Sequence, residues 1–344
     1  MIAHAPVATR RVLWGLSLLL PVILVVAIGS GAVTLSPGEA LGGVLAWWRG
    51  EFSQAGVIVA QIRLPRVLLA ALIGAILASS GAAMQGLFRN PLADPSLIGV
   101  TAGASLGASI AIVAAGAGLQ GLSGITVISL GAFAGGLLAV LLVYRLASST
   151  AGTSVATMLL AGIAISALAG AVGNLLEFHA DSEVLRRISL WRMGGLDGAD
   201  PTRLAFAAAV CLVVAGSLPL FATPLNALLL GESEARYLGI DVERTKIALV
   251  VLVAVGVGAS VALAGTIAFV GLVVPHIMRL LIGPDHRSLI PASALAGAIL
   301  LVVADTLARV VMAPTELPVG IVTAIIGVPF FISLLRQRAQ YGMR

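Results

Sequence analysis

Long apolar runs, separated by short polar stretches, make up most of this chain. An α-helix needs about 20 apolar residues to cross a bilayer. Runs of about this length predict ten transmembrane helices, at Val12–Leu35, Leu64–Leu87, Pro95–Ile112, Leu122–Leu146, Val155–Leu176, Leu204–Phe221, Ile247–Leu263, Thr266–Ile282, Leu289–Met312 and Val319–Leu335. The pattern therefore predicts an all-α integral membrane protein, with residues 1–344 forming one transmembrane domain.

Helix-start signals lie in several of the polar stretches. The segment Ser36–Glu39 has the spacing of a capping box with proline at the first helical position. It predicts a short helix that runs toward Trp47 and Trp48 at a membrane interface. Asp94-Pro95 and Asp200-Pro201 have the same form and predict the starts of the third and sixth spans.

Glycines recur at every fourth position in two neighbouring spans. Gly99, Gly103 and Gly107 follow this spacing in the third span, and Gly131 and Gly135 follow it in the fourth. Small residues at this spacing let membrane helices approach closely. The glycines are therefore interpreted as packing positions.

The polar segment Gly231–Lys246 is the main exception to the apolar pattern, with seven charges in sixteen residues of a chain that has 35 charged residues in all. Such a segment cannot lie in lipid, and it is too short to build its own core. It predicts two short helices, Glu232–Leu238 ended by Gly239 and a second capped by Asp241. An ordinary solvated loop is the alternative. The apolar residues interleaved with its charges favour docking of another protein.

Composition agrees with a membrane protein and excludes several classes of function. The chain is 59% hydrophobic and 10% charged, whereas soluble domains carry roughly 25% charged residues. Its one cysteine, Cys211, excludes an internal disulfide, and no metal site is predicted because the four histidines have no second ligand at useful spacing. The sequence has no glycine-rich phosphate loop, and its only lysine, Lys246, does not follow one, so the chain is not itself a P-loop ATPase.

Positive charges give a topology. With the N-terminus in the cytoplasm, twelve of the twenty Lys and Arg residues fall inside and eight fall outside. This distribution favours N- and C-termini in the cytoplasm. The net charge of +5 is therefore attributed to the orientation of the chain in the membrane, and no nucleic-acid partner is predicted.

A weak internal repeat relates the two halves of the chain. A shift of 184 residues places Gly74 on Gly258, Gly81 on Gly265 and Pro91 on Pro275. The second and seventh spans would then correspond and run in opposite directions. The pattern predicts inverted five-helix repeats, an arrangement common in transporters.

Three further motifs have both a functional and a structural reading. Two prolines in Asn90–Pro95 forbid a continuous helix, so this segment is either a gate at a pore mouth or a tight turn. Asp305 and Arg309 have the i, i+4 spacing of an ion pair inside a span, which is either functional or structural, and Arg309 lies near the outer end, where it is expected to reach water. Gly103–Gly107 also fits the G-x-S-x-G motif around Ser105, but that motif needs a strand–turn–helix context. An intramembrane hydrolase is therefore an unsupported alternative.

Four long blocks of the sequence, Arg63–Gly107, Leu228–Ile240, Val261–Arg287 and Ala304–Phe331, closely resemble one family. This family is the FecCD type of permease subunit in ABC importers for cobalamin, ferric siderophores and haem. The resemblance implies a ten-helix subunit that pairs with a second copy of itself in the bacterial inner membrane. It also implies two cytoplasmic ATPase subunits, which bind ATP and Mg, and a periplasmic substrate-binding protein. The chain itself would be neither an enzyme nor a cofactor protein.

The resemblance also assigns roles to residues. Coupling to the ATPase falls on Gly231, Glu232, Glu234, Arg236, Leu238 and Gly239 and on the segment that follows. Docking of the binding protein falls on the outward arginines Arg63, Arg66 and Arg309. The cytoplasmic gate falls on Asn90 and Leu92, with Thr153 and Ser154 as its second part, where the spacing differs from that of the family.

The cargo is predicted from charge. The segment Ser182–Gly195 resembles the family's outer helix and carries Arg186, Arg187 and Arg192. These arginines would attract an anionic cargo, such as haem with its two propionates or a ferric chelate. Alternatively, they dock the binding protein. The prediction is a haem or ferric-complex importer permease, with a cobalamin permease and an ion-coupled secondary transporter as alternatives.

Overall fold

The computed structural model describes residues 6–33, 35–51, 53–115, 122–150 and 152–341. Almost all of these residues are helical. The helices are α1 Pro6–Gly29, α2 Pro37–Trp48, α3 Gln54–Val57, α4 Leu64–Leu87, α5 Val100–Ala115, α6 Leu122–Ala147, α7 Val155–His179, α8 Ser182–Arg192, α9 Pro201–Ser217, α10 Ala222–Leu228, α11 Glu232–Tyr237, α12 Val242–Ala264, α13 Val270–Ile282, α14 His286–Val310 and α15 Val319–Tyr341. Two short strands, β1 Ser148–Ser149 and β2 Gly152–Thr153, pair antiparallel as a hairpin between α6 and α7.

Every predicted span coincides with a helix, so the prediction of an all-α membrane protein is confirmed. Within the described residues, seven helical stretches are long and apolar enough to cross a bilayer, and shorter apolar helices lie at Val100–Ala115, Val270–Ile282 and Val319–Ser333. The predicted helix after Ser36 is α2, and its capping box is present. Asp200 caps α9 as expected, whereas Asp94 caps a one-turn 3-10 helix, Pro95–Ile98, that precedes α5.

Several helix ends differ from the prediction. A π-helical turn, Ile58–Arg63, joins α3 to α4 and makes one continuous helical stretch from Gln54. The first span ends at Gly29 rather than at Leu35, and residue 34 lies outside the described residues, as do the ends of the predicted 1–344 domain. The expected second helix of the polar segment is not separate. Asp241 caps α12 itself, so that part of the segment is the first turn of a 23-residue helix.

The core lies around α4 and α12. In the most apolar 18-residue stretch of each of the two spans that contain these helices, 78% and 72% of the residues are buried. Glycines bring helices together here. A Cβ on Gly81 would collide with the carbonyl oxygen of Gly271 in α13, and one on Gly74 would collide with that of Gly297 in α14. The predicted close packing of α5 on α6 is confirmed, because a Cβ on Gly107 would collide with the carbonyl oxygen of Gly131.

The shift of 184 residues does not match the helices. Gly81 lies inside α4, but Gly265 ends α12. Pro91 lies in a turn, but Pro275 lies inside α13. These residue equivalences are therefore wrong, because an Ala- and Gly-rich chain offers many chance matches. The second and seventh spans still share the central position in the core.

Contacts between helix ends define two opposite sides of the molecule. The α11 side holds α11, the β1–β2 hairpin, the first turns of α12 and α14 and the C-terminal ends of α4 and α13. The α8 side holds α8, the first turn of α4 and the C-terminal ends of α1, α12 and α14. This grouping is the one that ten alternating spans require.

Candidate functional site

The polar segment forms a compact projection built on α11. Gly231 and Gly239 bound this helix with φ values of +131° and +82°, which side chains other than glycine rarely adopt. The helix buries Ala235 completely and leaves Tyr237 and Leu238 91% and 62% exposed. Exposed apolar side chains beside charged ones are typical of a protein-docking surface.

The predicted coupling residues are linked by charge. Arg236 is 55% exposed, and its guanidinium lies 3.6 Å from Glu232 and 3.9 Å from Glu243 at the start of α12. Glu234 is exposed on the same helix. The structure thus brings the predicted residues of α11 into one surface that is continuous with α12. Coupling to an ATPase stays a prediction.

Sequence reasoning placed Lys246 in the polar docking segment but did not reveal that it is buried, one turn into α12. Its side chain is only 1% exposed. The ammonium nitrogen Nζ donates to Glu232 at 2.8 Å, to Glu243 at 3.1 Å and to the carbonyl oxygen of Thr153 at 2.6 Å. The i, i+3 spacing of Glu243 and Lys246 was the only sequence signal for it.

One part of the predicted gate, the segment between α4 and α5, is a capped turn. Asn90 is exposed, Leu92 is half-buried, and the side-chain oxygen of Asn90 accepts the backbone N–H of Leu92 at 3.0 Å. Asp94 accepts the N–H of Ser96 at 2.8 Å. Burial raises the pKa of the Asp94 carboxyl, although this hydrogen bond opposes the rise. The segment is closed by local hydrogen bonds, and its role as a gate stays a prediction.

The other part of the predicted gate, Thr153 and Ser154, lies at the hairpin. Thr153 is buried, and its backbone N–H donates to Glu243 at 2.9 Å. Its hydroxyl lies 3.2 Å from the Tyr144 hydroxyl and 3.1 Å from that of Ser148. Ser154 is exposed and caps α7. Thr153 therefore belongs to the polar cluster around Lys246 and does not line an open path in this structure.

The three outward arginines are buried in this structure, and their role in docking the binding protein stays a prediction. Arg63, Arg66 and Arg309 are 5%, 7% and 5% exposed. Each of them is satisfied within the chain. Arg63 donates to the carbonyl oxygens of Ile28 and Gly29 at 2.9 and 3.0 Å and also contacts that of Val33.

An ion-pair network holds the other two arginines. Arg66 donates to Asp305 at 2.9 Å and to Glu316 at 2.6 Å, and Arg309 donates to the second Asp305 oxygen at 3.0 Å. The predicted pairing of Asp305 with Arg309 is therefore present. Arg309 was expected to reach water, but it turns inward to the carbonyl oxygen of Ser30 at 3.0 Å. Partners from distant parts of the chain bury these groups, and local sequence does not reveal them.

The third arginine group lies on α8, which Asp181 caps. Arg186 and Arg192 are exposed and Arg187 is half-buried. Arg192 pairs with Glu177 at the end of α7 at 2.6 Å. The predicted vestibule residues thus lie together on the α8 side.

A cavity of about 640 Å³ opens between α5 and α7. This is within the size range of sites that hold small molecules. Its polar lining runs from the gate segment to α8 and consists of Ser96, Thr101, Ser105, Ser109, Ser166, Glu177, Arg192 and Thr266. Of the three predicted vestibule arginines, Arg192 lines this cavity, and it does so with its partner Glu177.

Known proteins resemble this chain over almost its whole length. The cobalamin import system permease protein BtuC of Halobacterium salinarum is 48% identical over 83% of this chain and 74% of its own length. The hemin transport system permease protein HmuU of Yersinia pestis is 45% identical over 96% of this chain and 97% of its own.

A solved structure and a family model agree with these relatives. An inward-facing structure described as a metal-chelate type ABC transporter superposes with a TM-score of 0.83 at 32% identity, over 95% of this chain and 99% of the other. Residues 19–337 match the model of the FecCD transport family. The chain therefore belongs to the FecCD transport family of ABC-importer permeases.

Proposed function

We propose that this chain is the permease subunit of an ATP-driven importer that carries haem, or another ferric complex, into the cytoplasm. The observation that carries the cargo assignment is the group of arginines on α8, one of which lines the cavity between α5 and α7. Exposed arginines at this end of the cavity would raise the local concentration of an anionic cargo. The relative HmuU is a hemin permease, which supports the proposal.

In the proposed assembly, two copies of this chain form a homodimer in the bacterial inner membrane. Exposed apolar side chains along α7, such as Leu160 at 68% and Ile163 at 61%, support a second copy or lipid on this helix. The α11 side faces the cytoplasm together with both termini, and the α8 side faces the periplasm. The cavity between α5 and α7 would then form part of the path.

The transport cycle uses alternating access. Two cytoplasmic ATPase subunits bind ATP and Mg and dock on the surface around Glu232–Gly239. Their closure displaces α11 and tilts the helices that flank the cavity. Asn90, Leu92, Thr153 and Ser154 would gate the cytoplasmic end, where the capped turn and the hairpin lie at the starts of the two helices that line the cavity.

The periplasmic binding protein delivers the cargo to the α8 side. Because Arg63, Arg66 and Arg309 are buried, direct pairing of these groups with an acidic partner is not proposed. From their buried positions, these arginines would hold the ends of α1, α4 and α14 in the arrangement that the binding protein contacts. Exposed groups such as Arg186 would make the first electrostatic contact.

A cobalamin permease is the second candidate, since the relative BtuC imports cobalamin. A strain that relies on this system alone, grown on haem, ferric siderophores or cobalamin, separates the candidates. Growth on haem or a ferric siderophore alone is expected. Growth on cobalamin alone would still identify an importer permease. It would contradict the argument that the arginines on α8 attract an anionic cargo.

Two other classes have less support. An ion-coupled transporter needs acidic groups that are free to titrate, but Asp305 is held between two arginines. An intramembrane hydrolase would need Ser105 as nucleophile, but Ser105 lies on the helix α5 and not on a strand–turn–helix elbow. Transport by a Ser105→Ala variant at the wild-type rate would exclude the hydrolase.

A further inference from the structure

Lys246 is the only lysine of the chain, and it is buried among groups from three separate elements. Glu232 begins α11, Glu243 lies in the first turn of α12, and Thr153 ends β2 directly before α7. An ammonium group has three N–H donors. Each acceptor takes one of them, at 2.8, 3.1 and 2.6 Å respectively. We call these four residues the Lys246 cluster.

The cluster is closed by a second set of hydrogen bonds. Glu243 uses its other carboxylate oxygen to accept the N–H of Thr153 at 2.9 Å. The Thr153 hydroxyl continues to Tyr144 on α6 at 3.2 Å. The hairpin before α7 is therefore attached both to α12 and, through Lys246, to α11. Because the Lys246 ammonium is buried, removing one of its carboxylate partners leaves part of its charge uncompensated, so these contacts resist separation.

The attachment of α11 depends strongly on this cluster. The helix has six residues and buries only Ala235. Its surface, by contrast, is open to a partner: Arg236 is 55% exposed and reaches Glu232 and Glu243 from outside. A partner that moves α11 therefore acts directly on the carboxylate that holds Lys246.

We infer that Lys246 is a positioning residue that transmits displacement of α11 to the β1–β2 hairpin and so to α7, which lines the cavity. The inference rests on the proposed function, in which an ATPase docks on α11. Beyond that function, it identifies how the displacement reaches α7. Movement of α11 is transmitted through the buried Lys246 ammonium, and not only along the chain into α12. The alternative is that the cluster merely neutralises a buried charge.

The test uses the complete importer, with permease, ATPase and binding protein, in liposomes. Haem uptake per ATP hydrolysed is measured for the variants Lys246→Met, Lys246→Arg and Glu232→Ala. Arg145→Met is the matched control, because Arg145 is an exposed cation near the hairpin but outside the cluster. We expect Lys246→Met and Glu232→Ala to lower uptake per ATP by about 5-fold or more, within the usual range of coupling between sites. Lys246→Arg should restore part of it, and Arg145→Met should keep the wild-type ratio.

Glu232→Ala keeps the test decisive if Lys246→Met does not assemble, because it leaves Lys246 paired with Glu243. A second readout is amide exchange of the two hairpin strands, residues 148–149 and 152–153. Docking of the ATPase should change this exchange in the wild type and not in Glu232→Ala. Wild-type uptake per ATP together with a wild-type exchange response in Glu232→Ala would overturn the inference. Absence of ATP-dependent uptake by the unmodified importer would instead overturn the proposed function.

Discussion

Asp305 on α14 accepts a hydrogen bond from Arg66 on α4 at 2.9 Å, although the two residues are 239 positions apart in the chain. The Asp305 side chain is 1% exposed. Its second oxygen accepts from Arg309, which continues to the carbonyl oxygen of Ser30 beyond the end of α1. One carboxylate thus ties together three helices on the α8 side.

Removal of this carboxylate should destabilise the protein. Asp305→Asn removes the counter-charge beside the buried Arg309 guanidinium and leaves Arg66 with the partly exposed Glu316 carboxylate, and breaking a buried pair in this way costs about 3–5 kcal/mol. The midpoint of thermal unfolding in detergent is the measurement. Glu316→Gln is the control, because the Glu316 side chain is 44% exposed and such pairs contribute only about 0–1 kcal/mol. Equal midpoints for the two variants would contradict the network as a source of stability.

The contact between α4 and α13 should not tolerate a methyl group. Gly81→Ala places a Cβ against the carbonyl oxygen of Gly271, and overpacking typically costs about 1–3 kcal/mol. The variant should unfold at a lower temperature than the wild type. Gly15→Ala on α1 is the matched control, since its Cβ meets nothing within 4 Å and alanine favours a helix by roughly 0.5–1 kcal/mol. A wild-type midpoint for Gly81→Ala would show that the helices are not in this close contact.

The cargo assignment predicts a salt-dependent effect on α8. Arg186→Gln should raise the haem concentration needed for half-maximal uptake at low ionic strength. The difference from wild type should shrink as salt approaches 0.15 M, where the Debye length is about 8 Å. Arg49→Gln is the control for an exposed arginine outside this group.

The same variant separates cargo attraction from docking. If Arg186 faces the cargo, Arg186→Gln should bind the empty binding protein as tightly as the wild type does in a pull-down titration. Weaker binding of the empty binding protein would assign Arg186 to docking and remove its role in attracting haem.

The first turn of α2 should depend on pH. The backbone N–H and hydroxyl of Ser36 both donate to Glu39 at 2.7 Å and lower the pKa of this carboxyl below its ordinary value of 4.5. The ionised form is therefore the one that stabilises the folded helix. This contribution is fully present above pH 4.5 and is lost as the pH falls through the lowered pKa.

Amide exchange of α2 measures this effect. Exchange in the wild type should accelerate, relative to the intrinsic rate, as the pH drops below 4.5 and falls through the lowered pKa of Glu39. Glu39→Gln removes the titrating group and should show no such step. A wild type that is as insensitive to pH as Glu39→Gln would refute the capping box.

Hydropathy was sufficient to predict the positions of the long apolar helices, because a helix in lipid must satisfy its own backbone and cover itself with apolar side chains. Capping signals placed the starts of α2 and α9 correctly. Asp241 was correctly predicted to begin a helix, but the length of that helix was not, because the same N-cap can begin a short helix or a long one. The structure extends that helix to Ala264.

The site was harder to predict than the fold because its partners are distant in the chain. Arg66 meets Asp305 and Glu316 only after α4 and α14 have packed together. Lys246 meets Thr153 across 93 positions. Local sequence identifies such residues as charged, but it does not show whether the charge is exposed or neutralised in the interior.

The central claim is that this permease works with ATP rather than with an ion gradient. Uptake by liposomes that contain the permease and its ATPase, with loaded binding protein outside, tests this claim most directly. The account predicts uptake that requires ATP with Mg on the ATPase side and persists when an uncoupler removes the proton gradient. Uptake that the uncoupler abolishes at constant ATP would contradict it.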